Sequence, residues 1–420
     1  MSSADPAVFH KLYGVRKPRA TYYAKDFLDY TVMLALTALV TGALYGFRHP
    51  MALLGYGLCA VTLGMFAIRH GVELRVPLIL RRPQDALYLF LYKIQNFRPF
   101  YFVSIAILLA ENAVIALTPG LPHQVDWMRK LALGLFYLHF AGLSIYRTVI
   151  MADHLRKREL VREVLMQTPW KRVITEKTKI VLEILHAYGT GLLTHIVLIA
   201  PWYFLITHVR FSLLLLLPVA VLNYKTYARW MRSSYSSWFY REHWLGHNSE
   251  LEFIYLHGSH HDAIPSAMIA VSGNGFLEGV LRHSIGVPTP FFNPIGASLV
   301  YAFEVKNDMA LHQYIPGVFP QFQKFAIETN QHSTHHYGRL EPYSIAMKGD
   351  APGMSEEVRK KARGVAKGIR NSVQLDEELT GFEWDNPIYR LTQKLYAKYQ
   401  PETEPVALPA VDLSAENATT

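Results

Sequence analysis

The longest apolar stretch of the chain is residues 184–207, ILHAYGTGLLTHIVLIAPWYFLIT, which holds 24 residues and no Asp, Glu, Lys or Arg. An α-helix rises about 1.5 Å per residue, so a helix of this length is long enough to cross the hydrocarbon core of a bilayer, which is roughly 30 Å thick. Because the stretch carries no charge, it predicts a membrane-spanning helix. A membrane protein is therefore the fold class that the remaining sequence has to fit.

The composition of the whole chain agrees with that class. Hydrophobic residues make up 51% of the 420 residues and charged residues only 18%, and the mean hydropathy is +0.11. Soluble domains carry about 25% charged residues, so a wholly soluble enzyme, a disordered chain and a fibrous chain are all excluded. The single cysteine, Cys59, excludes a disulfide within the chain and cysteine-based zinc or iron–sulfur sites. The net charge of +9 comes with no nucleic-acid recognition motif, so we expect no nucleic-acid partner.

Five more apolar segments lie on either side of this stretch, at 30–46, 51–68, 99–117, 131–146 and 211–224. The last is short for a span and could be tilted or re-entrant. Basic residues cluster in two loops, at 69–98 and 156–179. The positive-inside rule then places the N-terminus, both basic loops and everything after residue 225 in the cytoplasm. The sequence therefore predicts an all-α integral membrane protein, a multi-span helical bundle followed by a cytoplasmic segment.

Histidines are concentrated in that last segment. Ten of the 19 histidines fall between His243 and His336, and eight of these form three boxes with the spacings H-x3-H, H-x2-H-H and H-x2-H-H. Chance placement would put less than one histidine in the positions that the boxes occupy. Residues at i, i+3 and i+4 share one face of an α-helix, so the imidazoles of each box are expected to project together. The boxes are His243 and His247; His257, His260 and His261; and His332, His335 and His336.

Clustered imidazoles at helical spacing are typical of a metal site. Eight are more than one ion can use, so the pattern indicates two metals and a helical histidine-box di-metal domain. The zincin protease motif H-E-x-x-H is absent from the sequence. Imidazole ligands suit iron, copper or zinc, and a pH sensor or an adventitious metal site is the alternative to a functional centre.

The boxes resemble those of the fatty acid hydroxylase (sterol desaturase) superfamily of membrane-bound oxygenases. The matching stretches are YREHWLGH at 240–247, LHGSHH at 256–261 and QHSTHHYG at 331–338. The resemblance covers about residues 185–345, and it is specific for the superfamily but not for one of its members. Together with the apolar segments and basic loops, which lie mostly outside the resemblance, it predicts five parts: an N-terminal cytoplasmic segment (1–27), a four-helix membrane region (28–150), a basic cytoplasmic loop (151–183), a fatty acid hydroxylase-like catalytic domain (184–345), and a polar C-terminal helix with a disordered tail (346–420).

The resemblance implies a di-iron centre, in which zinc can replace iron in purified protein. His312 matches a further family histidine, and Asp308 stands where some relatives have another. Asp308 and His283 are weaker candidates for ligands or for residues that support the ligands. The implied metal ligands are His243, His247, His257, His260, His261, His312, His332, His335 and His336.

The implied activity is a monooxygenase reaction that hydroxylates an unactivated C–H bond of a lipid, sterol or other apolar substrate with O2. Two electrons must come from a separate cytochrome, ferredoxin or reductase, because the sequence carries no haem, flavin or cysteine-cluster motif of its own. A lipid desaturase with the same site is one alternative. A metal ion or proton transporter that uses histidines as an ion path is the alternative from another class.

Polar residues inside the apolar segments are further candidates. Glu111 is expected to have either a functional or an interfacial role. For His139, His186 and His195 we expect hydrogen bonds between helices, with haem ligation as the alternative. A lone histidine outside the boxes, such as His49, is expected to have a structural role.

Overall fold

The computed structural model describes residues 27–83, 86–87, 99–159, 161–162, 179–210, 218, 221, 251 and 253–262. At 99–105, 122–125, 261 and 262 it describes the backbone alone. Within these residues the secondary structure is helical and includes no β-strand. The all-α class predicted from the sequence is therefore confirmed for this part of the chain.

Seven α-helices and one π-helical turn are described, and the first six helices come before the turn in the chain. These six are α1 (Phe27–Tyr45), α2 (Pro50–His70), α3 (Leu78–Arg81), α4 (Pro99–Leu117), α5 (Leu121–Arg156) and α6 (Ile180–His208). The π-helical turn, Phe253–His257, continues directly into α7 (Gly258–Asp262).

Four of these helices contain a stretch that is long and apolar enough to cross a membrane: α1, α2, residues 126–156 of α5, and α6. They coincide with four of the six apolar segments predicted from the sequence. The third predicted segment is helical as α4, and most of the sixth, at 211–224, lies outside the described residues. One boundary was wrong: α5 extends beyond the apolar segment 131–146 at both ends. Helix formers continue the hydrogen-bond ladder there although the residues are no longer apolar.

The central helix of the bundle is α6, which packs against α1, α2 and α5. About two thirds (67%) of its most apolar stretch is buried, against 17% for α5. Its residues Ile196 and Ala200 belong to an apolar core shared with α2 and α5. Leu193 and Val197 belong to a second core, shared with α1, α2 and the π-helical turn. The π-helical turn that ends at His257 is thereby packed against helices long and apolar enough to cross a membrane.

A buried ion pair joins the end of α2 to the beginning of α6. The Arg69 guanidinium donates from Nε to both carboxylate oxygens of Glu183 at 3.0 Å, and Nη2 lies 3.0 Å from Oε2. Both side chains are fully buried. Paired charges of this kind are tolerated inside a protein because each satisfies the other.

The turn between α1 and α2 lies at the other end of α2, away from Arg69. His49 caps α2, because its Nδ1 accepts a hydrogen bond from the Met51 backbone N–H at 3.2 Å. Burial lowers the pKa of His49 below its ordinary value of 6.5, which keeps the ring neutral and Nδ1 able to accept. His49 therefore has a structural role, as expected.

Gly42 of α1 allows α1 and α2 to approach each other closely, because a Cβ atom at this position would overlap the Tyr56 hydroxyl of α2.

Candidate metal centre

Two histidines of the second box come together in a buried position. His257 is the last residue of the π-helical turn, and His260 lies on α7, three residues later. Their side chains are 1% and 3% exposed, and their ring centroids are 5.4 Å apart. The sequence placed both on one α-helix, which was wrong in detail: His257 lies at the junction of two helix types. The juxtaposition that the spacing predicted is nevertheless present.

This separation fits two imidazoles on one ion. A metal–nitrogen distance of about 2.1 Å puts each ring centroid about 3.2 Å from the ion, so the centroids of two ligands on the same ion lie roughly 4.5–5.5 Å apart. Two imidazoles alone do not complete a site. No group of three or more His, Cys, Asp or Glu in the described ranges is arranged to hold a metal ion. Only the backbone of His261 is described, and the other predicted candidates, His243, His247, His283, Asp308, His312, His332, His335 and His336, lie outside the described residues.

An aspartate of the first helix anchors the segment that carries this histidine pair. Asp29 lies in the first turn of α1 and is 1% exposed. Its Oδ1 accepts a hydrogen bond from the Tyr255 hydroxyl at 2.5 Å and another from the Leu78 backbone N–H at 2.6 Å. Tyr255 is two residues before His257. Reasoning from the sequence missed Asp29, although an acidic residue at the edge of an apolar segment is a usable signal.

Apolar side chains enclose the same segment. Leu251, Phe253, Ile254 and Leu256 are all buried. They share a core with residues of α1, α2 and α6, including Tyr30, Met33, Leu34, Phe66, Leu193 and Val197. Groups inside such an environment are shielded from water, which strengthens their electrostatic interactions with one another.

A second group of polar side chains lies between α5 and α6. The ring centroids of His139 and His195 are 5.4 Å apart, and His139 also lies 5.4 Å from Trp202. His195 and, on α5, Arg147 are fully buried, and His139 is half-buried. The helix–helix hydrogen bond expected of His195 is not formed within the described part of the chain, where neither ring nitrogen has a partner. Ionisable groups inside membrane spans usually mark ion or substrate pathways.

Asn112, one of the polar residues in the apolar sequence of α4, forms hydrogen bonds with the backbone of Arg210. The Asn112 side chain donates to the Arg210 backbone carbonyl at 3.3 Å and accepts from the Arg210 backbone N–H at 3.2 Å. This pair ties α4 to the end of α6. Glu111, next to Asn112, is 3% exposed.

Comparisons of the chain with protein-family models, with curated proteins and with solved structures give no match. The resemblance to the fatty acid hydroxylase superfamily consequently depends on the histidine boxes alone. To those boxes the structure adds the buried juxtaposition of His257 with His260 and the hydrogen bonds that hold their segment on the bundle.

Proposed function

We propose that the protein is a membrane-bound di-iron monooxygenase of the fatty acid hydroxylase (sterol desaturase) type. It hydroxylates an unactivated C–H bond of a lipid, sterol or other apolar substrate with O2 and two external electrons. The observation that carries the proposal is the buried pair of imidazoles, His257 and His260, at a separation suited to one metal ion. The remaining proposed ligands are the other seven histidines that the resemblance implies.

In this proposal the protein holds the iron ligands in position and encloses them in apolar surroundings. When bound, iron supplies the activation of dioxygen that breaking such a C–H bond requires. The apolar residues packed around the π-helical turn exclude water. The adjoining helices are apolar enough to lie in a membrane, the phase in which an apolar substrate dissolves. The single cysteine, Cys59, which is buried in α2, cannot by itself form an iron–sulfur cluster to carry electrons. An external cytochrome, ferredoxin or reductase is the proposed electron donor.

The test of the proposed reaction is isotopic. Membranes that contain the protein are supplied with a reductant, a matching electron-transfer partner and 18O2, and their lipid extract is compared with that of membranes lacking the protein. A hydroxylase yields a lipid product that carries one 18O atom, and its formation stops without O2 or without reductant. An unlabelled product lighter by two hydrogens would instead identify the desaturase alternative.

We infer a multi-pass arrangement with the histidine boxes on the cytoplasmic side, because basic residues flank the spans on that side. Reporter tags at Arg82, at Lys171 and at the C-terminus are expected to report the cytoplasm, and a tag near His123 the opposite side. His123 lies at the start of α5 and Lys171 beyond its end. Finding these two tags on the same side would show that α5 does not cross the membrane.

A metal ion or proton transporter is the second candidate, and one observation favours it. Within two candidate spans, His195 and Arg147 are fully buried, and the half-buried ring of His139 lies 5.4 Å from that of His195, so polar groups stand where an ion path requires them. Such a transporter moves metal ions or protons into sealed vesicles without O2 or reductant. Uptake of that kind, lost when His195 is replaced by Ala, would replace the enzyme proposal.

A further inference from the structure

We propose that Asp29 and Tyr255 form a positioning pair that holds His257 in place for metal binding. The inference deepens the proposed function and rests on it. Asp29 lies in α1, far outside the part of the chain that resembles the superfamily, so nothing in the histidine boxes themselves assigns it a role.

The contact geometry joins three distant parts of the chain at one oxygen atom. Oδ1 of Asp29 accepts from the Tyr255 hydroxyl at 2.5 Å and from the Leu78 N–H at 2.6 Å. Asp29 belongs to α1, Leu78 begins α3, and Tyr255 lies in the π-helical turn. The carboxylate therefore fixes the turn relative to the membrane-spanning helices.

Because the contact between Asp29 and Tyr255 is buried, its cost indicates a positional role. Asp29 is 1% exposed and Tyr255 5% exposed, and the surrounding side chains are apolar. A buried carboxylate is costly unless hydrogen bonds satisfy it, and apolar residues of similar size would have packed there at lower cost. A contact of this kind contributes mainly a defined position, because the hydroxyl has to reach one particular oxygen.

The location of Tyr255 connects that position to the metal ligands. Tyr255 is the central residue of the five-residue turn Phe253–His257, and His257 is the residue that ends it. Single π-helical turns are rare and are frequently found at functional sites. Holding Tyr255 fixes the path of the turn, and the path sets the direction in which His257 projects toward His260. Metal-binding imidazoles commonly depend on supporting groups in this way.

The test compares Tyr255→Phe with Tyr45→Phe in the full-length, iron-loaded protein. Each change keeps the ring and removes a buried hydroxyl that donates a hydrogen bond: Tyr255 donates to Asp29 Oδ1, and Tyr45 donates to the Ile196 backbone carbonyl at 2.8 Å. The measurements are iron per chain and the rate at which a chelator removes iron. Tyr255→Phe is expected to weaken iron binding by roughly 10–100-fold, whereas Tyr45→Phe leaves it unchanged at a similar loss of thermal stability.

Two variants of the acceptor sharpen the comparison. Asp29→Ala removes the acceptor oxygen and is expected to weaken iron binding as Tyr255→Phe does. Asp29→Asn keeps a side-chain oxygen at the same position and is expected to recover most of the binding. Wild-type protein that holds iron, with Tyr255→Phe no different from Tyr45→Phe, would overturn the positioning role alone. Wild-type protein that binds no metal would overturn the proposed function as well.

Discussion

Replacing His257 and His260 together by Ala is expected to remove most of the bound metal and to abolish oxygen-dependent product formation. In the proposed centre these two buried rings, with centroids 5.4 Å apart, bind the same ion, so the double change removes two of its ligands. Purified wild-type protein should contain about two iron atoms per chain, or two zinc ions where zinc has replaced iron. Elemental analysis and product formation under 18O2 measure the two effects separately.

A second histidine pair in the same molecule supplies the control. His139 and His195 have the same centroid separation of 5.4 Å, but they lie between α5 and α6 and outside the boxes. The double change to Ala at these two positions is expected to leave the iron content and the product unchanged. If instead this pair is needed for metal content while His257 and His260 are dispensable, the histidine-box centre is wrong.

The helices that are long and apolar enough to cross a membrane could be predicted from the sequence for a simple physical reason. A span needs a long uncharged stretch, and such stretches are visible without knowledge of their neighbours. Residues 184–207 lie inside α6, and residues 51–68 lie inside α2. The ends of α5 were less predictable, because its outer turns are polar and are continued by backbone hydrogen bonds that apolar periodicity does not report.

The candidate site was only partly predictable. Spacing alone predicted that His257 and His260 would meet, since neighbours in a helix are set by local geometry. The π-helical turn before His257 was not foreseen, because its sequence, FIYLH, carries no distinguishing pattern. Asp29 was missed because its partner Tyr255 is 226 residues away in sequence. A tertiary contact of that kind leaves no periodic signal in a single sequence.

Breaking the buried ion pair of Arg69 and Glu183 is expected to have the largest effect on stability. Either Arg69→Met or Glu183→Gln leaves the other charge buried without its partner, which typically costs about 3–5 kcal/mol. Both side chains are fully buried, and three nitrogen–oxygen contacts of 3.0 Å join them. The measurement is the free energy of unfolding in detergent, taken from denaturant titrations of wild type and each variant.

The double variant Arg69→Met/Glu183→Leu tests whether the two side chains stabilise the protein through their ion pair or independently of each other. With both charges gone, neither position leaves a buried charge, and replacement of a buried pair by apolar residues is often neutral or stabilising. The double variant should therefore recover most of the stability lost in the single variants. The half-exposed pair of Arg75 and Glu73 is the matched control, since both side chains are 43% exposed and breaking such a pair costs about 0–1 kcal/mol. A double variant as unstable as the sum of its single changes would mean that Arg69 and Glu183 stabilise α2 and α6 separately rather than through each other.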